Sequence, residues 1–339
     1  MIVGVASVDH RDGQWGPTGW ARLGQWVPYW RERHTVAVGT LWNEDDHLAI
    51  DVDGELVAPD IVYLQAFQRD LSPLLRRARA SGQVVVQDID DWFWGLDSRH
   101  RGWANARHSE QAYAANLAET DVVTASTPYL AARLSERFAG EIVVIPNHVD
   151  TGRFTPVGHA VERPTIGWAG ATDHRVGDLS EIKGVLGQFA GNADFQHSGH
   201  LDGTPTFAEQ VGLPDAAVRR VERRAPAGYP SLLDFHIGLV PLRINPFNEA
   251  KSELKGLEYA ASGIPFVASA TGAYTQLQAV WGDCVRVAKR PADWVKHLRR
   301  LLDPSAREDA AEELRKRVLE RDLSQGAHLH LELFGALEA

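Results

Sequence analysis

Between Ile237 and Ala268 the apolar residues change period twice, and no other feature limits the fold as much. Ile237 to Pro241 is a continuous apolar run, as in a strand buried on both faces. A polar loop with Asn245, Pro246 and Asn248 follows, and then the pattern turns helical from about Lys251. Lys251, Lys255 and Glu258 fall on one helical face, with Leu254, Leu257 and Ala261 opposite, an arrangement that suits packing on a sheet. Gly263 is placed to end the helix with a left-handed cap, and Pro265 to Ala268 reads as the next strand. Strand, loop, helix, strand is the repeating unit of a doubly wound parallel sheet.

In such a sheet the loop and the helix start lie outside the carboxyl ends of the strands, where ligands bind. Backbone N–H groups there, with Lys251 and Lys255 beside them, favour an anion such as phosphate, and Glu258 one turn on would accept from a sugar diol. Spacing alone favours a solvated face on which Lys255 and Glu258 merely pair at i, i+3.

The same alternation runs through the chain. Strand signals at Ile2–Ala6, Thr35–Gly39, Ile61–Gln65, Val84–Gln87, Val122–Ala125 and Glu141–Ile145 alternate with helical segments at 72–81 and 104–118, and Asp53-Gly54 marks a hairpin between 48–52 and 55–57. A loop with Gly16, Gly19, Trp20 and Arg22 follows the first strand and opens a helix to which Trp26 and Trp30 give a core face. The strand at 84–87 runs into Asp88, Asp90 and Asp91, which read either as oxygen ligands for a divalent cation or as loop caps. Strands restart at Thr165–Ala169, followed by Gly170, His174 and Arg175 ahead of a helix expected over 178–189. Further strands are expected at 194–197 and 217–221, and helices from Arg290 onward.

The run from Phe247 to Pro265 resembles the donor-binding signature of GT-B glycosyltransferases of the family 4 (group 1) type, in the variant FN-x-A-K-S-x-L-K-x-x-E-Y-A-A-x-G-I-P. IPNHVD at 145–150, the Asp-rich segment at 88–91 and GWAGATDH at 167–174 resemble other segments of that family, in family order. The resemblance implies an α/β chain of two Rossmann-like, doubly wound parallel-sheet domains facing each other across a cleft. Residues 1–150 form the acceptor-side domain, 151–163 a linker and 164–324 the donor domain, with 325–339 packing back on the first. It places Gly170, His174, Arg175, Asn248, Lys251, Ser252, Lys255 and Glu258 at the donor, Glu258 on the ribose and Gly170, His174 and Arg175 on the diphosphate. Gly16, Gly19, Trp20 and Arg22 go to the acceptor side, and Lys251, Arg175, Asp90 and Asp91 are the candidate catalytic groups. In the wider family a glutamate stands at the position of Ala250, so Glu249 or Asn248 is its nearest substitute here.

The implied activity is a hexosyltransferase that uses a nucleotide-diphosphate sugar such as a UDP- or GDP-sugar, retains the anomeric configuration, and needs neither metal nor cofactor. The acceptor is open: a glycan, lipid, small molecule, virion protein or hydroxymethylated DNA base. A net charge of -10 over 339 residues counts against nucleic acid. Two other readings fit the same motifs, a sugar-nucleotide epimerase and a silent sugar-nucleotide or glycan-binding module. No run reaches the ~18 apolar residues that span a bilayer, and the N-terminus lacks a basic leader, so a cytoplasmic protein is expected. The single cysteine, Cys284, excludes an internal disulfide and reads as a buried thiol.

Overall fold

The computed structural model describes residues 1–44, 47–65, 67, 69–174 and 177–338. Two six-stranded sheets carry the fold. The first takes β1 (Ile2–Ser7), β2 (Thr35–Val38), β3 (Ile61–Gln65), β4 (Val84–Ile89), β5 (Val122–Ala125) and β6 (Glu141–Val144). Their spatial order is β6-β5-β4-β3-β1-β2, and every pairing is parallel. The second takes β7 (Thr165–Ala169), β8 (Asp194–His200), β9 (Val218–Glu222), β10 (Ile237–Val240), β11 (Phe266–Ser269) and β12 (Arg286–Ala288). Its order is β9-β8-β7-β10-β11-β12, again parallel throughout. Strands such as β3 and β10 are buried at every residue, because helices cover both faces of a parallel sheet.

Alternation along β1 sends Val3 and Val5 into one apolar cluster and Ala6 into another, so the first sheet has a core on each face. The helix Leu323–Glu338 contributes Ala327, Leu333 and Phe334 to the cluster of Val3, Trp26 and Trp30. The chain thus ends on the sheet where it began. Trp26 and Trp30, at 1% and 0% exposure, are core residues. A three-stranded antiparallel sheet (40–44, 47–52, 55–57) carries the Asp53-Gly54 hairpin and one strand that periodicity did not show.

Three local expectations are corrected. The segment 178–189 is not an α-helix but two 3-10 turns, Leu179–Ile182 and Leu186–Phe189, because Gly184 between them sits at φ +77 and turns the chain. The first-loop helix breaks into Pro17–Arg22, Gly24–Trp26 and Val27–Trp30 around Gly24 and Pro28. The central helix begins at Leu254 rather than Lys251, preceded by a short helix, Pro246–Glu249, that Asn245 caps through Asn248 N. Gly263 ends the longer helix at φ +64.

Candidate active site

The carboxyl ends of β4 and of β7, β8 and β10 open on one cleft of about 540 Å³ between the two sheets. This is where parallel sheets present ligand sites, and the volume is that of an ordinary small-molecule pocket. Its walls differ in charge. Asp90, Asp91 and Asp150 come from the first-sheet side, while Arg223, Arg224, Lys251 and Lys255 come from the second.

Lys251 stands on the turn between the two helices, and its Nζ donates to Asp91 Oδ1 at 2.7 Å across the cleft. The ammonium also lies 4.3 Å from the ring centroid of Phe247. At the start of the helix, Lys255 Nζ donates to the Ala169 carbonyl at the end of β7. Glu258 follows on the same face and accepts from Tyr229 Oη at 2.8 Å. Burial pushes the Glu258 carboxyl up from its usual range, with Lys255 and the Tyr229 hydroxyl pulling the other way. Asp90 opens on the cleft, and burial, with Asp91 and Asp88 beside it, pushes its carboxyl up to about 8. Asp91 beside it is paired with Lys251.

Gly170 lines the cleft at φ +153, its N–H on Ser198 O and its carbonyl accepting from His197 Nε2 at 2.9 Å. Gly199 sits at φ +101, and a Cβ there would stand 3.0 Å from the Gly170 carbonyl oxygen, so a side chain at this position would be strained. Ser252 Oγ accepts from Asn147 Nδ2 at 2.6 Å, and Asn147 Oδ1 accepts from Arg22 Nη1 at 2.9 Å.

Arg22 lines the cleft but is 2% exposed and bonded to Asp88, Ile145 O and Asn147, so it underpins the cleft floor. Burial opposes its charge, but Asp88 outweighs burial and keeps it protonated. Three expected site residues, Gly16, Gly19 and Asn248, are placed elsewhere. Gly16 and Gly19 stand off the cleft. Asp9 accepts from Gly19 N and Thr18 N, which puts a carboxylate of the chain itself where an external anion would bind. Asn248 is 2% exposed and donates to Asp178 and to Arg243 O, a strut within its own lobe. Of the first-loop residues, Trp20 reaches the cleft as an apolar wall beneath the Arg153 guanidinium, 4.8 Å from its ring. Arg175 and the His174 side chain lie outside the described residues. Glu249 caps the helix Gly272–Trp281, accepting from Gly272 N at 2.9 Å, and does not line the cleft.

Sequence reasoning missed Arg153, which it left in the linker and which donates to Pro226 O at 2.6 Å. It also missed Tyr229, Trp168 and Gly199, all of which line the cleft. Among the described residues no cluster of His, Cys, Asp and Glu is arranged to hold a metal, and no helix is long and apolar enough to cross a membrane.

No protein-family model matches the chain, and no curated protein sequence matches it. Solved structures match over its whole length. Sucrose-phosphate synthase from Thermosynechococcus elongatus aligns with a TM-score of 0.71 at 14% identity, covering 99% of each chain. α,α-Trehalose 6-phosphate synthase from Burkholderia multivorans aligns at 0.62 and 11% identity, covering 100% of this chain and 99% of that one. A trehalose-6-phosphate structure from E. coli bound with UDP-2-fluoro glucose aligns at 0.61 and 12%, covering 99% and 98%. At these identities the likeness establishes the fold: two facing Rossmann-like sheets in the GT-B arrangement.

Proposed function

We propose that the protein is a retaining glycosyltransferase of the group 1, family 4 kind, transferring a sugar from a nucleotide-diphosphate sugar. One observation carries this reading: Lys251, Lys255 and Glu258 all face a single cleft at the carboxyl ends of the second sheet, opposite Asp90 and Asp91 of the first. The E. coli neighbour holds a UDP-sugar analogue in the same fold, which supports it.

The basic wall suits a diphosphate. As the sugar–phosphate bond breaks, negative charge grows on the departing diphosphate, and Lys251, released from Asp91, together with Lys255 stabilises it. Glu258, oriented by Tyr229, accepts from the ribose hydroxyls. The bond from the acceptor oxygen to the anomeric carbon forms on the face the phosphate leaves, and the acceptor proton passes to the phosphate. No protein nucleophile is required. Closing such a cleft excludes water and limits hydrolysis of the donor.

The acceptor enters along Trp20 and Asp90. A neighbour from Burkholderia xenovorans is described in complex with glucose-6-phosphate; on this wall Arg22 is bonded to Asp88, Ile145 O and Asn147, while the Arg153 guanidinium lies over Trp20. Asp90, Asp91 and the indole ring there suit the hydroxyls of an acceptor.

The test is a screen of nucleotide sugars reporting released nucleotide, with and without candidate acceptors. Turnover that Lys251→Ala and Glu258→Ala each abolish supports the reading. A changed sugar nucleotide from donor alone would replace it with epimerase chemistry, and binding without turnover with a silent module.

A further inference from the structure

The turn that carries Lys251 is held from the opposite lobe. Ala250 is 0% exposed and belongs to the apolar cluster of Ile89, Trp92 and Leu130, all first-lobe residues. Its carbonyl accepts from Thr127 Oγ1 at 3.1 Å. A Cβ on Gly95 would stand 2.5 Å from Trp92 Cδ1, 2.8 Å from Phe247 N and 3.1 Å from Pro246 C, the last two being backbone atoms that yield only if the segment moves. Neither Thr127 nor Gly95 lines the cleft.

We propose that Thr127 and Gly95 are positioning residues for the donor cation: they seat the segment 246–251 on the first lobe and so set where the Lys251 ammonium stands. The proposal rests on the reading of Lys251 as the diphosphate partner. Its physical content is that the segment is shared. Asn248 ties it to Asp178 of the second lobe and Ala250 ties it to the core of the first, so a shift at either seat moves Nζ relative to the phosphates. A displacement of about 1 Å in a catalytic group typically costs on the order of a hundredfold in rate.

Two measurements on the full chain test it. In hydrogen–deuterium exchange, which needs no ligand, Gly95→Ala and Thr127→Val should each speed exchange of the peptide covering 246–256 by about tenfold, leave the peptide covering β7 unchanged, and Thr127→Ser should restore protection. In calorimetry with UDP and with GDP as probes, both variants should weaken whichever nucleotide binds the wild type by about tenfold, and should have no further effect in a Lys251→Ala background. Unchanged exchange over 246–256, or an affinity loss that persists without Lys251, overturns the proposal. If neither nucleotide binds the wild type, the donor reading fails on its own, and the exchange result still decides whether the first lobe seats the segment.

Discussion

Replacing Arg22 with methionine keeps the volume and removes the charge beneath the cleft. Asp88, 0% exposed, would then lose its contacts at 2.7 and 3.0 Å and keep Thr124 Oγ1 at 2.7 Å as a neutral donor. Leaving one member of a fully buried pair unmatched costs about 3–5 kcal/mol. With a urea dependence of up to about 3 kcal/mol per molar, the midpoint should fall by about 1 M or more. The loss should be smaller in Arg22→Met/Asp88→Leu, where no unmatched charge remains. Arg22 also holds Asn147, which donates to Ser252, so nucleotide affinity should fall in the single variant as well. Urea unfolding followed by tryptophan fluorescence measures both variants. A single-variant loss below about 1 kcal/mol, the scale of an exposed pair, would refute the argument that burial makes this pair matter.

Tyr229→Phe removes the hydroxyl that orients Glu258, and at about 1 kcal/mol for one hydrogen bond nucleotide affinity should drop roughly fivefold by calorimetry; equal affinity would disconnect Tyr229 from the site. Asp90 is raised to about 8, so the native state binds an extra proton between the ordinary carboxyl value of 3.8 and that point, and stability should decline as pH rises through the window. Asp90→Asn should flatten that decline in urea midpoints taken from pH 5 to 9, and an unchanged slope would contradict the assignment. His148 and His197 are lowered to about 4, chiefly by burial, and burial among Trp26, Trp30 and Phe334 lowers His330 as well. The unfolded chain therefore binds more protons below about 6.5, and stability should fall as pH drops from there toward 4. His330→Phe should remove part of that acid loss; the full wild-type loss in the variant would show that His330 takes no part in it.

The parallel sheets were legible because strands buried on both faces leave uninterrupted apolar runs, as at Ile61–Gln65 and Ile237–Val240, and because helices between them must bury one face. The Lys255–Glu258 face was legible for the same reason, since helical period alone puts both on one side. What escaped depends on tertiary contact. Arg22 is expected on the acceptor side, but its partner Asp88 is distant in sequence, and only the fold shows that the pair is closed. Gly16 and Gly19 are expected there too, yet Asp9 of the chain itself caps that loop. The break at Gly184 lay within an otherwise helical pattern, where a glycine gives no sign of its φ. Ala250, read as a missing carboxylate, is a packing residue between the lobes.

A crystal structure of the protein soaked with the nucleoside diphosphate that binds it most tightly tests the central claim most directly. The diphosphate should lie between Lys251 and Lys255, with the ribose hydroxyls on Glu258 and Asp91 parted from Lys251. A nucleotide bound elsewhere, with the Lys251–Asp91 pair intact and Glu258 still bonded only to Tyr229, would contradict that claim.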